Sequence, residues 1–266
     1  MQVVMLAFPR FTQLDLTGPY EVFARFPELQ VHLVWKCADP VVDNNGLKIV
    51  PTGTLAECPQ ADILFVPGGP GQIDLMEDRE VLDFLRRQAE RAAYVTSVCT
   101  GSLVLAAAGL LTGYRATCHW LSLDQLALFG ALPVAERVVF DRNRVTGAGV
   151  TSGIDFALAL VVHLFGEERA QKVALSMEYD PKPPFAGAPW RIRNPRSLPA
   201  SAPRRPAFRP SVRRSPGARR RLCRPRRGSR TTPFGAREPR PSLACLSAVS
   251  SRRLGVSRNA GQGAAR

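Results

Sequence analysis

The stretch that decides the fold is Val95-Thr96-Ser97-Val98-Cys99-Thr100-Gly101-Ser102. Its first four residues are typical of a buried β-strand, and the small residues after Cys99 lead into a helical pattern. A strand, a reactive residue and a helix in direct succession predict a nucleophile elbow, a sharp turn that presents the nucleophile at a sheet edge. The helix N-terminus would lower the pKa of the Cys99 thiol. We interpret Cys99 as a nucleophile, and the alternative is a structural cysteine in the core.

Strands and helices alternate on both sides of this elbow. We predict strands over residues 2–8, 31–37, 62–66 and 93–98, a hairpin over 137–146, and helices over 18–26, 74–92, 101–111, 152–165 and 167–178. The central strands are apolar throughout, which indicates a parallel sheet with helices on both faces, an α/β fold. Ligands of such folds bind beyond the carboxyl ends of the strands, here after Phe8, Val66 and Val98.

The glycine-rich turn Pro67-Gly68-Gly69-Pro70-Gly71 follows one of these strand ends. Glycines there let backbone N–H groups approach a substrate closely, so beside a nucleophile the turn could form an oxyanion hole. The alternative is a plain turn. The segment lacks the Gly-Lys-Ser/Thr element of a phosphate-binding loop.

Asp15 lies between Leu14 and Leu16, in the predicted loop between the first strand and a helix that starts at Gly18. This loop should open on the same edge as Cys99. Partly buried beside a thiolate, the Asp15 carboxyl would have a raised pKa and could hold a proton near neutral pH. The alternative is an ordinary loop acid or helix cap.

The segment Thr117-Cys118-His119-Trp120 adds a further candidate, since the imidazole of His119 could serve as a base. Cys118 and His119 do not predict a metal site, because two ligands without partners at workable spacing are too few. The sequence therefore predicts no metal.

The chain changes composition near Ala186. Residues 1–186 hold 15 Lys and Arg against 21 Asp and Glu, a net charge of −6, whereas residues 187–266 hold 21 Arg and one acid, a net charge of +20. We predict one folded domain over 1–186 and a disordered Arg- and Pro-rich tail over 187–266. The basic pI therefore says nothing about nucleic-acid binding by the domain.

The N-terminus and the cysteines bear on where the protein works. Residues 1–8 have no basic flank or cleavage pattern of an export signal, and residues 154–165 are too short to cross a bilayer. Of the six cysteines, the four in the domain (Cys37, Cys58, Cys99 and Cys118) show no Cys-x-x-Cys motif and no framework spacing. These observations predict a cytoplasmic protein with reduced thiols and no membrane association.

Several segments together resemble the ThiJ/PfpI superfamily, which has a glutamine-amidotransferase-like, flavodoxin-like fold. They are TQLDLTGPYEVF (12–23), DILFVPGGPG (62–71), SVCTGSLVLAAAGLL (97–111), RATCHW (115–120), GVTSGIDFALAL (149–160) and EYDPKPPF (178–185). Within the superfamily they look most like bacterial isonitrile hydratases. That resemblance implies cofactor-free, cysteine-dependent hydration of an isonitrile to an N-substituted formamide by a homodimer.

The resemblance also implies roles for single residues. In isonitrile hydratases the essential groups are the elbow cysteine, the threonine after it and an aspartate of the first loop, which fall on Cys99, Thr100 and Asp15. Oxyanion-hole N–H groups of the superfamily fall on Gly69 and Thr100, and Gly68 and His119 are possible pocket residues. Many relatives carry His where this chain has Thr100, which argues against a protease-like Cys-His site.

Other members of this superfamily leave alternatives open. One group places the same domain before an AraC-type DNA-binding domain, and sister families act on α-oxoaldehydes as glyoxalases or deglycases. No helix-turn-helix pattern appears in residues 187–266, which favours an enzyme over a regulator.

The Arg- and Pro-rich tail over residues 187–266 has two possible explanations. Arg-rich, Lys-free, Pro-rich composition is what out-of-frame reading of GC-rich DNA produces, so we hypothesise a frameshift near residues 185–190. A genuine tail would instead bind nucleic acid or acidic partners through phosphate contacts.

Overall fold

A computed structural model describes residues 1–182 and Pro184, which lie in one compact unit of the chain. The strands are β1 (Gln2–Leu6), β2 (Gln30–Trp35), β3 (Val41–Val42), β4 (Lys48–Ile49), β5 (Gly53–Thr54), β6 (Ile63–Val66), β7 (Tyr94–Val98), β8 (Arg115–Ala116), β9 (Leu132–Pro133), β10 (Val138–Asp141) and β11 (Arg144–Gly147). The helices are α1 (Gln13–Phe23), α2 (Gln72–Leu75), α3 (Arg79–Ala89), α4 (Gly101–Ala107), α5 (Ser152–Phe165) and α6 (Glu167–Ser176), and Trp120–Phe129 forms a 3-10 segment.

Seven strands form one sheet in the order β10-β11-β7-β6-β1-β2-β5. The strands β2, β1, β6, β7 and β11 are parallel and follow the order 2-1-3-4-5 of flavodoxin-like sheets. The hairpin partner β10 adds an antiparallel edge strand. The predicted α/β fold is therefore confirmed.

Two helical layers enclose this sheet. Helices α1, α5 and α6 pack on one another, and α2, α3 and α4 form the second group. Residues 3–8 and 63–66 are wholly shielded from solvent, which explains why these strands read as continuous apolar runs. Each of their Val, Ile, Leu, Met and Phe side chains contributes about 1.5–3 kcal/mol to folding through burial.

The first helix starts earlier than the sequence predicted. Helix α1 begins at Gln13 and carries Pro19 in its interior, so Asp15 lies in the first helical turn and not in a loop. Pro19 lacks the N–H that would bond the Asp15 carbonyl. The helix is nonetheless held by packing, because Gly18 and Gly153 let α1 and α5 approach closely.

Other predicted boundaries also shift. The helix predicted over 74–92 is α3 preceded by the separate turn α2, and α4 stops before Gly109, whose φ is +78°. The predicted tail and the end of the predicted domain lie outside the described residues. Within the described residues, no helix is long and apolar enough to cross a membrane.

Candidate active site

The elbow predicted at Cys99 is present where β7 meets α4. Cys99 has a φ of +54°, a left-handed conformation that is uncommon for a residue with a side chain. Its N–H donates to the carbonyl groups of Gly147, the last residue of the adjacent strand β11, and of Ala148 just after it, at 3.0 and 2.7 Å. These two bonds hold the strained backbone, which matches the general use of strain at functional sites.

The glycine-rich turn after β6 brings the acid and the thiol together. A Cβ built on Gly68 would lie 2.8 Å from Asp15 Oδ2, 2.8 Å from Cys99 Cβ and 2.6 Å from the Thr100 nitrogen. The Gly68 N–H also donates to Asp15 Oδ2 at 3.1 Å. Gly68 is therefore the point on which Asp15 and the elbow converge, and no larger residue fits there.

The next glycine is already engaged by Thr100. The Gly69 N–H donates to Thr100 Oγ1 at 2.9 Å, and that hydroxyl lies 3.4 Å from the Gly69 carbonyl. The φ of Gly69 is +135°, and a Cβ would be 2.4 Å from the Thr12 nitrogen, so only glycine can take this position. The Gly69 N–H, which was predicted to be an oxyanion-hole donor, is therefore hydrogen-bonded to the Thr100 hydroxyl in this structure. The Thr100 N–H, by contrast, faces the Cys99 sulfur.

Burial decides the protonation of Asp15. Its side chain is wholly shielded, and desolvation raises the carboxyl pKa to about 7, although the Cys99 thiol and the Gly68 N–H favour the ionised form. Asp15 Oδ1 has no hydrogen-bond partner among the described residues. The carboxyl can therefore both take up and release a proton near neutral pH.

Burial also changes the pKa of the Cys99 thiol, in the direction opposite to that expected from the helix N-terminus. Desolvation, the neighbouring Asp15 and the nearby Cys118 raise the pKa of the Cys99 thiol well above its ordinary value, and only the Thr100 N–H opposes them. The expected lowering of this pKa by the helix was therefore wrong in sign. The thiol keeps its proton until a base removes it, and Asp15 is the base beside it.

The segment carrying Cys118 and His119 forms another side of the site. Cys118 is buried, and His119 packs on Gly149 so closely that a Cβ built there would lie 3.3 Å from the ring Cδ2. His119 Nδ1 accepts the Leu121 N–H at 3.3 Å, so this nitrogen carries no proton and caps the 3-10 segment. His119 cannot act as a base through Nδ1 while this bond is made.

Two buried serines were missed by sequence reasoning. Ser97 and Ser102 lie on either side of Cys99, and their hydroxyls are 2.9 Å apart inside the core. The small polar character of the elbow segment was the available signal, but it does not show which hydroxyls meet. Across residues 1–182, no group of three His, Cys, Asp or Glu side chains could hold a metal ion.

Comparison with known proteins identifies the family. The model of the DJ-1/PfpI family matches residues 1–163. The chain belongs to the DJ-1/PfpI family. Over 190 residues it is 56% identical to the isonitrile hydratase of Pseudomonas putida, an alignment that covers 71% of this chain and 83% of that enzyme.

Two further proteins are similar to this chain over different shares of its length. A solved ThiJ/PfpI family protein from Pseudomonas syringae is 49% identical with a TM-score of 0.68, covering 69% of this chain and 77% of its own. The transcriptional regulator GbdR of Pseudomonas aeruginosa is 35% identical over 136 residues, 50% of this chain and 36% of the regulator. The match to the hydratase is both closer and more complete than the match to the regulator.

Proposed function

We propose that this chain is an isonitrile hydratase that converts an isonitrile and water into an N-substituted formamide. The observation that carries the proposal is the buried pair of Asp15 and Cys99, which meet at Gly68 with one exchangeable proton between thiol and carboxylate. The extensive identity with the Pseudomonas putida enzyme supports the same activity.

The first step forms a covalent intermediate. Asp15 carboxylate takes the proton of the Cys99 thiol, and the sulfur adds to the terminal carbon of the isonitrile. That carbon becomes basic as the carbon–sulfur bond forms, and Asp15 returns the proton to it. The product is a thioimidate, and the Asp15 carboxylate is regenerated.

The second step is hydrolysis of the thioimidate. Asp15 takes a proton from water as the oxygen adds to the carbon, and it then protonates the nitrogen. The resulting tetrahedral species transfers its hydroxyl proton back to Asp15 and expels the sulfur, which is reprotonated as a thiol. The Thr100 N–H stabilises negative charge on the leaving sulfur.

Infrared spectroscopy tests the proposed reaction directly. The full-length chain is mixed with a model isonitrile, and the isonitrile stretch is expected to disappear while formamide accumulates. Parallel incubation with an α-oxoaldehyde tests the glyoxalase alternative. If neither compound is consumed, the chain is neither an isonitrile hydratase nor a glyoxalase. That result would favour a ligand-sensing domain like the one in the related transcriptional regulators.

We also propose that the enzyme is a cytoplasmic homodimer. The family resemblance supports two copies, as does the outward position of large apolar side chains such as Leu175, which is 78% exposed on α6, and Leu128, which is 69% exposed. Sedimentation at micromolar concentration is expected to give twice the chain mass. A monomer at that concentration would contradict the proposed dimer but would leave the proposed reaction unaffected.

Replacing Gly68 by Ala should impair turnover by separating the catalytic pair. The added Cβ would overlap Asp15 Oδ2, Cys99 Cβ and the Thr100 nitrogen, at a cost of about 1–3 kcal/mol in folding. We expect kcat to fall by about 10²-fold, because small displacements of reacting groups are costly. Gly53→Ala is the matched control, since nothing lies within 4 Å of its Cβ. Equal kcat values for the two variants would contradict the convergence at Gly68.

Replacing Thr100 by Val should test the hydroxyl while keeping side-chain shape and the Thr100 N–H. The Gly69 N–H loses its acceptor, which costs about 1–3 kcal/mol for a buried donor. We expect the turn to loosen and kcat to fall by about tenfold or more, measured by formamide production. Thr100→Ser should retain most activity, and a Ser variant as poor as Val would argue against a role for the hydroxyl.

A further inference from the structure

A chain of buried hydroxyl groups connects the elbow to the segment that forms another side of the site. Ser97 Oγ lies 2.9 Å from Ser102 Oγ, and Ser102 Oγ donates to the Thr117 carbonyl at 2.7 Å. All three residues are at most 1% exposed. Thr117 is fifteen residues away from Ser102 in sequence, so the link is a tertiary contact.

The direction of the hydrogen bonds follows from the acceptor at the end of the chain. A carbonyl oxygen can only accept, so the single proton of the Ser102 hydroxyl is committed to Thr117. Ser97 must then donate to Ser102. The Ser102 hydroxyl therefore donates one hydrogen bond, to Thr117, and accepts one, from Ser97, so its orientation is fixed.

Thr117 is fixed from a second side by the strand next to the elbow. Its N–H donates to Thr146 Oγ1 at 2.9 Å, and its own hydroxyl donates to the Glu136 carbonyl at 2.8 Å. Thr146 precedes Gly147, whose carbonyl accepts the Cys99 N–H. The helix after Cys99 and the strand beside it thus both hold Thr117.

The position of Thr117 also sets the position of the two residues that follow it. The next two residues are Cys118, which is buried near Cys99, and His119, which packs against Gly149. We infer that Ser102 is a positioning residue, whose buried hydroxyl holds the segment Thr117–His119 against Cys99 and so sets the shape of the site. For turnover this inference rests on the proposed hydratase function, but for the reactivity of Cys99 it does not.

The matched control is on the same strand as Ser97. Thr96 is equally buried, and its hydroxyl donates to the Leu64 carbonyl at 2.8 Å, inside the sheet and away from Thr117. Ser102→Ala removes the hydrogen bond to Thr117 and the one from Ser97, and Thr96→Val removes the one to Leu64. Both variants should therefore lose stability, Ser102→Ala by the larger amount. Only the first should disturb the segment Thr117–His119.

The decisive measurement is alkylation of Cys99 by iodoacetamide as a function of pH, resolved from the other cysteines by mass spectrometry of the Cys99 peptide. In Ser102→Ala we expect water to reach the thiol, so that the alkylation midpoint moves to lower pH. We also expect kcat for a model isonitrile to fall by about 10–100-fold with little change in KM. Thr96→Val should match the wild type in both.

Identical profiles for Ser102→Ala and Thr96→Val would overturn the inference. If Ser102→Ala does not fold, Thr146→Val carries the same test, because it removes the second anchor of Thr117 and keeps the side-chain shape. If the wild type consumes no isonitrile but the alkylation profiles still differ, the proposed function fails while the positioning role of Ser102 stands.

Discussion

Replacing Cys99 by Ala should abolish isonitrile hydration. The proposed reaction passes through a carbon–sulfur bond, which an Ala side chain cannot form. Loss of a catalytic nucleophile typically lowers kcat by about 10⁴-fold or more. Formamide production followed by infrared spectroscopy measures the loss.

The controls for this variant separate chemistry from folding. Ala can take the left-handed backbone of Cys99 no better and no worse than Cys, so the fold should be kept. Cys58→Ala removes a half-buried thiol outside the site and should leave kcat unchanged. Hydration by Cys99→Ala at the wild-type rate would exclude the covalent mechanism.

Replacing Asp15 by Asn should lower activity and raise stability together. Asn cannot carry the proton from sulfur to carbon, and loss of a general acid–base typically costs about 10²–10⁴-fold in kcat. The Asn side-chain oxygen can still accept the Gly68 N–H that now bonds Oδ2, so the turn keeps its contact. Turnover of a model isonitrile by Asp15→Asn measures the first effect.

The stability gain follows from the pKa of Asp15. Its folded pKa is about 7 against an ordinary value of 3.8, so the folded protein holds this proton more tightly than the unfolded chain. Stability is therefore lost as the pH rises from about 4 to about 7, by up to about 4 kcal/mol for a change of this size. Asn carries no charge and avoids this loss.

Urea denaturation at two pH values tests this expectation. At pH 8 Asp15→Asn should unfold at higher urea than the wild type, and at pH 5 the difference should shrink. Asp74→Asn is the control, because its side chain is 75% exposed and its ion pair with Arg10 contributes little to stability. A variant no more stable than the wild type at pH 8 would show that the buried carboxylate is not costly.

The pH dependence of turnover reports the same carboxyl. Below about pH 7 Asp15 is protonated and cannot accept the thiol proton, so kcat/KM for the wild type should fall as the pH is lowered through this value. A profile that is flat between pH 5 and pH 8 would exclude Asp15 as the base. Asp15→Asn should lose this dependence along with most of its activity.

The sequence by itself determined the alternation of strands and helices and the elbow at Cys99. These are local properties: continuous apolar runs report strands covered on both faces, and a strand followed at once by small residues reports the sharp turn. The expectation that the acid of residues 12–19 would meet the elbow also held. It rests on the rule that the carboxyl ends of parallel strands share one edge.

Only the tertiary structure decided how the groups at that edge act on one another. Gly68 meets Asp15 across 53 residues of sequence, and Gly69 meets Thr100 across 31. Desolvation by such distant groups outweighs the helix terminus at Cys99 and reverses the expected direction of its pKa. Hydrogen bonding likewise gives the Gly69 N–H to Thr100 and commits Ser102 to Thr117, because donors inside a core must find acceptors and the fold alone supplies them.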